Sequence, residues 1–216
     1  MTNLIFVFDL DGTLVSNTDS ASQLPVVRPY LKELLLYLRK KCFRVGLWTA
    51  ASREWYDLVY SKLLRPIFET INFQFDFTWY GHRCTRIYSK HFGYYTWDPE
   101  GIVVIKPLKK FWKAKTLYWY AHQHNMLILD DTESTAQRNY GNLIRAPTFN
   151  PMHDDMYFLN LAKHFETNFT PEYDNQLKVL SNITTLSLFC LMIVELYSPL
   201  RSVRKMKKTW SSKCVL

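Results

Sequence analysis

Glycine is scarce in this chain, with 6 in 216 residues, and the four cysteines (Cys42, Cys84, Cys190 and Cys214) form no CxxC pair. The first shortage excludes collagen-like sequence. The second excludes a disulfide-stapled scaffold and a thiolate zinc site, which leaves free thiols in a reducing compartment. Acidic residues are also short, 19 against 27 Lys and Arg, and the resulting charge of +8 favours an anionic partner. A secretory leader is not expected, because no basic segment precedes Leu4–Phe8 and Asp9 interrupts that apolar run after five residues. What the chain does have is apolar mass: 48% hydrophobic and 21% charged residues suffice for the core of one globular domain with an appendage.

Leu4-Ile-Phe-Val-Phe8 reads as a buried parallel strand that ends in Asp9-Leu-Asp11-Gly-Thr. A helix is predicted with Pro29 at its first position and with Leu31, Leu34, Leu35 and Leu38 on one face. Phe43–Trp48 is a second strand, ending in Thr49-Ala-Ala-Ser52, and Arg53–Leu64 a second helix. The aromatic stretch after Arg65 alternates between 73 and 79, which suggests a strand. Ile102–Ile105 ends at Lys106, Met126–Leu129 ends at Asp130-Asp131, and a last helix is expected near 155–166 with His153-Asp154-Asp155 at its start. Strands alternating with helices, with polar residues gathered at strand ends, predict an α/β fold whose site lies along the carboxyl edge of a parallel sheet.

Carboxylates at i and i+2 on a strand project to the same side, so Asp9 and Asp11 can share one site and divide nucleophilic attack from proton transfer. Gly12 and Thr13 let the chain turn away from them. Asp130 and Asp131 add the oxygen ligands that a hard cation such as Mg²⁺ requires, and Thr49 and Lys106 offer a hydroxyl and a positive charge to a phosphoryl group. Taken singly, each has an ordinary alternative: a turn aspartate, a solvated lysine, a helix-capping threonine.

Asp9-Leu-Asp-Gly-Thr-Leu-Val15, Leu47-Trp-Thr-Ala-Ala51, Lys106 and Leu129-Asp-Asp131 resemble, in order, the four motifs of the haloacid dehalogenase superfamily. Val27-Arg-Pro-Tyr-Leu31, Trp48–Trp55 and Val104-Ile-Lys-Pro-Leu108 narrow the resemblance to the phosphatases of the RNA polymerase II C-terminal domain (CTD), the NLI-interacting-factor-like and ubiquitin-like-domain-containing group. The resemblance implies a Rossmann-like sheet without a large cap over residues 1–166. It also implies a Mg²⁺-dependent Ser/Thr phosphoprotein phosphatase with an aspartyl-phosphate intermediate. In that scheme Asp9 is the nucleophile and Asp11 the acid and base. Mg²⁺ is held by Asp9, the Asp11 backbone carbonyl and Asp131, with Asp130 adjacent. Thr49 and Lys106 bind the phosphoryl oxygens. The expected partner is a phosphorylated protein or peptide, with RNA polymerase II a candidate and no direct nucleic-acid binding, in the nucleus or cytoplasm. Gly12 stands where CTD phosphatases usually carry Glu, which keeps a phosphatase for a metabolite or nucleotide as an alternative; an inactive scaffold acting through the tail is another. Trp79, His82, Arg83, Arg86 and Tyr88 are candidates for gripping a phosphopeptide by stacking and charge.

Residues 167–216 form a C-terminal extension outside the motifs, read as an apolar helix followed by a basic tail. Val179–Val194 is uncharged for sixteen residues, short of the roughly 20 needed to span a bilayer. Val179, Ile183, Leu186, Cys190, Ile193, Tyr197 and Leu200 fall at helical steps, which predicts packing on the domain or on a partner. Membrane contact through 179–213 is the alternative.

Overall fold

The computed structural model describes residues 4–18, 23–41, 43–88, 101–117, 121, 125–132, 134, 139 and 141–168. The apolar face and basic end of the extension, together with Cys42, Cys190 and Cys214, lie outside the described residues; Cys84 is a free thiol.

Strands β1 (Ile5–Phe8), β2 (Arg44–Trp48), β3 (Phe77–Trp79), β6 (Met126–Asp130) and β7 (Leu143–Arg145) build a five-stranded sheet in the order β3-β2-β1-β6-β7. Every pairing in it is parallel. β1 is central and wholly buried, and its residues divide with period two. Phe6 and Phe8 enter a core under α1 (Leu31–Lys40) and α5 (Tyr157–Asn168), whereas Ile5 and Val7 join a second core with Trp48, Leu108 and Phe111. Each buried phenylalanine stabilises the fold by about 1.5–3 kcal/mol relative to exposure, so both faces of the sheet are energetically committed. This is the expected α/β architecture.

The structure corrects several local expectations. The helix after Pro29 begins only at Leu31, because Tyr30 takes a left-handed conformation (φ 61°) and its carbonyl accepts the first helical bond from the Leu34 amide. The second helix does not stop at Leu64. It runs as α2 (Arg53–Val59), a π-helical turn (Tyr60–Leu64) and α3 (Arg65–Thr70). Pro66 cannot donate to the preceding turn and its ring crowds that turn's carbonyls, and the wider π turn directly before it relieves the conflict. Of the alternating aromatic stretch only Phe77–Trp79 is strand; Phe73 and Phe75 instead pack edge-on against Phe68.

The strand leading to Lys106 does not belong to the main sheet. β5 (Ile102–Ile105) pairs antiparallel with β4 (Thr85–Tyr88), and these two form a separate ribbon followed by the short α4 (Lys109–Trp112). Among the described residues, neither the segment between β1 and α1 nor that between β3 and β5 carries a cap domain. No described helix is long and apolar enough to cross a membrane.

Candidate active site

β1 delivers Asp9 and Asp11, β2 delivers Thr49, β5 delivers Lys106, and β6 delivers Asp130 and Asp131. All six come to the carboxyl edge of the main sheet, where parallel strands leave their ends open. Lys106 is the centre of the cluster. Its ammonium donates to Asp130 Oδ2 at 2.7 Å and lies in still closer contact with Asp9 Oδ1, all three side chains being buried. Burial pulls the Lys106 ammonium down, but the two carboxylates outweigh it and hold the group above the ordinary lysine range. Burial pushes the Asp9 carboxyl up; Lys106 and the Leu10 amide oppose the shift, and Asp130 adds to it. Asp9 and Lys106 therefore form a desolvated ion pair, in which either partner alone would be costly.

Asn139 fixes the backbone around that lysine. Its amide donates to Lys106 O at 3.1 Å and its carbonyl accepts from the Leu108 amide at 2.8 Å. Nothing in the sequence marked this lone polar residue, which serves a segment more than thirty positions away.

Asp11 is held differently. Trp55 Nε1, from the first turn of α2, donates to Asp11 Oδ1 at 2.8 Å, and the nearby Thr49 side chain likewise favours the ionised carboxylate. Burial raises the Asp11 carboxyl, with the Trp55 bond the main opposing influence. Thr49 is fully buried, and its oxygen also accepts the Ala51 amide at 2.9 Å, shaping the 49–51 loop. The helix cap that Thr49 was a candidate for falls to Ser52, whose hydroxyl accepts from the Trp55 amide. An indole nitrogen inside an aromatic-rich helix carries no sequence signal as a polar partner.

Asp131 lies half-buried beside the pair. Thr148 Oγ1 donates to its Oδ2 at 2.8 Å, and its amide donates to Thr13 Oγ1 at 3.2 Å. Burial raises this carboxyl too, against the Thr148 bond. Asp9, Asp130 and Asp131 each offer an oxygen within 4.8 Å of the others, the arrangement a hard cation needs. The space is shaped for it: Gly12 has φ 75°, and a Cβ there would come within 2.4 Å of Asp131 Oδ2. The Asp11 carboxylate stands outside that trio, so metal binding and proton transfer can fall to different side chains.

Arg28 braces the loops from behind. It is buried, pairs with Asp155 at 2.8 Å, and donates to the backbone oxygens of Thr13 and Pro147. Its guanidinium lies over the rings of Phe149, Tyr157 and Phe158, a setting that favours a delocalised cation. Asp155 also accepts the Tyr157 amide at the entry of α5. Of the candidate peptide-gripping residues, Trp79 is not available for stacking on a ligand: it is buried and lies flat on Phe111, with ring centroids 3.9 Å apart.

Three comparisons relate this geometry to known proteins. Similar solved structures include a putative HAD-like phosphatase from Mesorhizobium loti, at 17% identity and TM-score 0.45, covering 76% of this chain and 86% of that one. A putative beta-phosphoglucomutase from Thermotoga maritima is similar at 12% identity and TM-score 0.41, covering 74% and 91%. Fcp1, described as an essential RNA polymerase II CTD phosphatase, is similar at 14% identity and TM-score 0.39, covering 93% of this chain and 55% of that one. No curated protein sequence matches the chain significantly. A family model described as NLI interacting factor-like phosphatase matches residues 4–176. The chain therefore belongs to the NLI interacting factor-like phosphatases, a haloacid dehalogenase-type family with similarity to the CTD phosphatases.

Proposed function

We propose that the protein is a Mg²⁺-dependent Ser/Thr phosphoprotein phosphatase that works through an aspartyl phosphate on Asp9, with the polymerase C-terminal domain a candidate substrate. One observation carries the reading: the Asp11 carboxylate is held by Trp55, apart from the Asp9–Asp130–Asp131 trio, while lying two residues from Asp9. A carboxylate oxygen of Asp9 attacks phosphorus, and Asp11 donates its proton to the departing Ser or Thr oxygen. The Asp11 carboxylate then takes a proton from a water molecule that attacks the aspartyl phosphate, which releases phosphate and restores both side chains. Lys106 favours the ionised form of Asp9 against the burial that disfavours it and, with the Thr49 hydroxyl, faces the charge on the phosphoryl oxygens. Asp9, Asp131 and the Asp11 backbone carbonyl would hold Mg²⁺, with Asp130 adjacent; when bound, it supplies positive charge against those same oxygens.

A site without a cap among the described residues suits a phosphorylated side chain on a macromolecule, and such a substrate implies action in the nucleus or cytoplasm. Within this reading residues 1–166 are the catalytic domain and 167–216 an extension. The test compares a phosphoserine peptide with a panel of sugar and nucleotide phosphates, with Mg²⁺ and with chelator, for the wild type and Asp9→Asn. Expected are a higher kcat/KM for the peptide, loss of turnover with chelator, and loss of turnover in Asp9→Asn with the fold intact. An undiminished rate in that variant would sink the mechanism, and a preference for metabolites would sink the substrate class.

A further inference from the structure

The ribbon that delivers Lys106 is also the most one-sided part of the described surface. Residues 77–88 and 101–117 contain seven Lys or Arg (Arg83, Arg86, Lys106, Lys109, Lys110, Lys113 and Lys115) and no Asp or Glu. Elsewhere three exposed arginines have carboxylate partners: Arg44 with Asp76, Arg53 with Asp57, Arg65 with Glu69. Among the described residues, Lys106 alone of the seven has one. Like charges gathered among the described residues raise the positive potential of that surface, which attracts anions, and cost stability through self-repulsion.

Two of these cations are held in place at the site. The Arg83 guanidinium lies 5.2 Å from the centre of the Trp79 ring, which itself stacks on Phe111. Lys110, next to Phe111 in the chain, donates to Arg83 O at 2.7 Å and to Cys84 O at 3.2 Å. The short turn carrying Arg83 (Gly81–Arg83) sits directly on the phosphate-side loop of β2. The Gly81 amide donates to Ala51 O at 2.8 Å, the Cys84 thiol donates to Thr49 O at 3.7 Å, and a Cβ on Gly81 would meet Ala50 O at 2.4 Å. Only glycine permits that approach, so the basic rim is locked to the loop that holds Thr49. Arg86 and Lys109 flank it, both exposed.

We infer that this rim binds a second anionic group on the substrate, so that the preferred substrate is a peptide with another phosphate or a carboxylate a few residues from the scissile phosphate. The inference rests on the phosphoprotein reading and names the kind of phosphoprotein. An extended peptide advances about 3.3 Å per residue, so a rim joined to the Thr49 loop through direct hydrogen bonds is met within a few residues. The rim's contact with that loop favours an anion on the reacting molecule over a separate nucleic acid.

The test measures kcat/KM on three peptides of one length: a single phosphoserine, the same with a second phosphoserine two or three residues away, and the same with lysine at that position. The second phosphate should raise kcat/KM roughly three- to tenfold at low salt and lysine should lower it, the size expected for two or three partly exposed ion pairs. The gain should shrink as salt shortens the screening length. In Arg83→Gln/Arg86→Gln/Lys109→Gln the ratio between doubly and singly phosphorylated peptides should fall toward one, with circular dichroism unchanged. Equal kcat/KM on all three peptides overturns the inference and leaves the phosphoprotein reading standing. Turnover of sugar phosphates but of no peptide overturns both. Competition by an RNA oligonucleotide stronger than by the doubly phosphorylated product peptide reassigns the rim and overturns the inference alone.

Discussion

Trp55 Nε1 donates to Asp11 Oδ1 at 2.8 Å, so the direction of that carboxylate is set by the start of α2 and not by the loop of β1 that carries it. Trp55→Phe keeps an aromatic ring of smaller size and removes the donor. A hydrogen bond to a charged group is worth about 1.5–3 kcal/mol, so kcat/KM should fall by about tenfold or more, mostly in kcat, with thermal stability little changed. An unchanged kcat would show that Asp11 is oriented without the indole.

Gly12 leaves room for Asp131. Gly12→Ala places a Cβ where the nearest carboxylate oxygen is 2.4 Å away, at a φ of 75° that costs an L-residue about 1–2 kcal/mol. Asp131 must swing from Thr148, and the expected result is activity that saturates only at several-fold higher Mg²⁺. Titration of rate against Mg²⁺ reads this directly, and an unshifted midpoint would refute it.

Arg28 is buried with Asp155 as its carboxylate partner. Asp155→Asn keeps an oxygen for the Tyr157 amide but leaves the guanidinium without its counter-charge. Breaking a buried pair from one side costs about 3–5 kcal/mol, and in a domain of this size each of these shifts Tm by about 2–4 °C. A loss of about 10 °C is expected in a thermal melt; a change within 2 °C would mean that the aromatic cage holds the cation unaided.

Burial raises the Cys84 thiol above its ordinary range, although Lys106 pulls the other way. The thiolate is the reactive form, so alkylation should be slower than that of a free-cysteine peptide near neutral pH and should accelerate only as pH rises past the ordinary thiol range. Peptide mapping of iodoacetamide-treated protein at several pH values checks this. Faster labelling than the peptide at pH 7 would contradict it.

The acidic machinery was legible in the sequence because it is local. An apolar strand that terminates in Asp9-Leu-Asp11-Gly12, and another that terminates in Asp130-Asp131, need only be parallel neighbours for their carboxylates to meet, and they are. Period two put Phe6 and Phe8 on one face and Ile5 and Val7 on the other, as the central strand of a sheet covered on both sides requires.

The partners of those carboxylates were decided by tertiary structure. Four apolar residues before Lys106 do not say which strand they pair with, and the ladder to Thr85–Tyr88 depends on hydrogen bonds between distant segments. Trp55 and Thr148 act through single polar atoms on targets 44 and 17 residues away, and Asn139 through two on targets 33 and 31 away, distances at which side-chain periodicity carries no information. In sequence Arg28 is marked only by the Val27–Leu31 resemblance, and it is the closure of Phe149, Tyr157 and Phe158 around it, with Asp155 as counter-charge, that makes a buried guanidinium tolerable. The sequence by itself determined which groups arrive at the sheet edge, because strand ends are encoded by neighbours in the chain. Their orientation and charge were decided by packing, because both depend on what the fold brings against them.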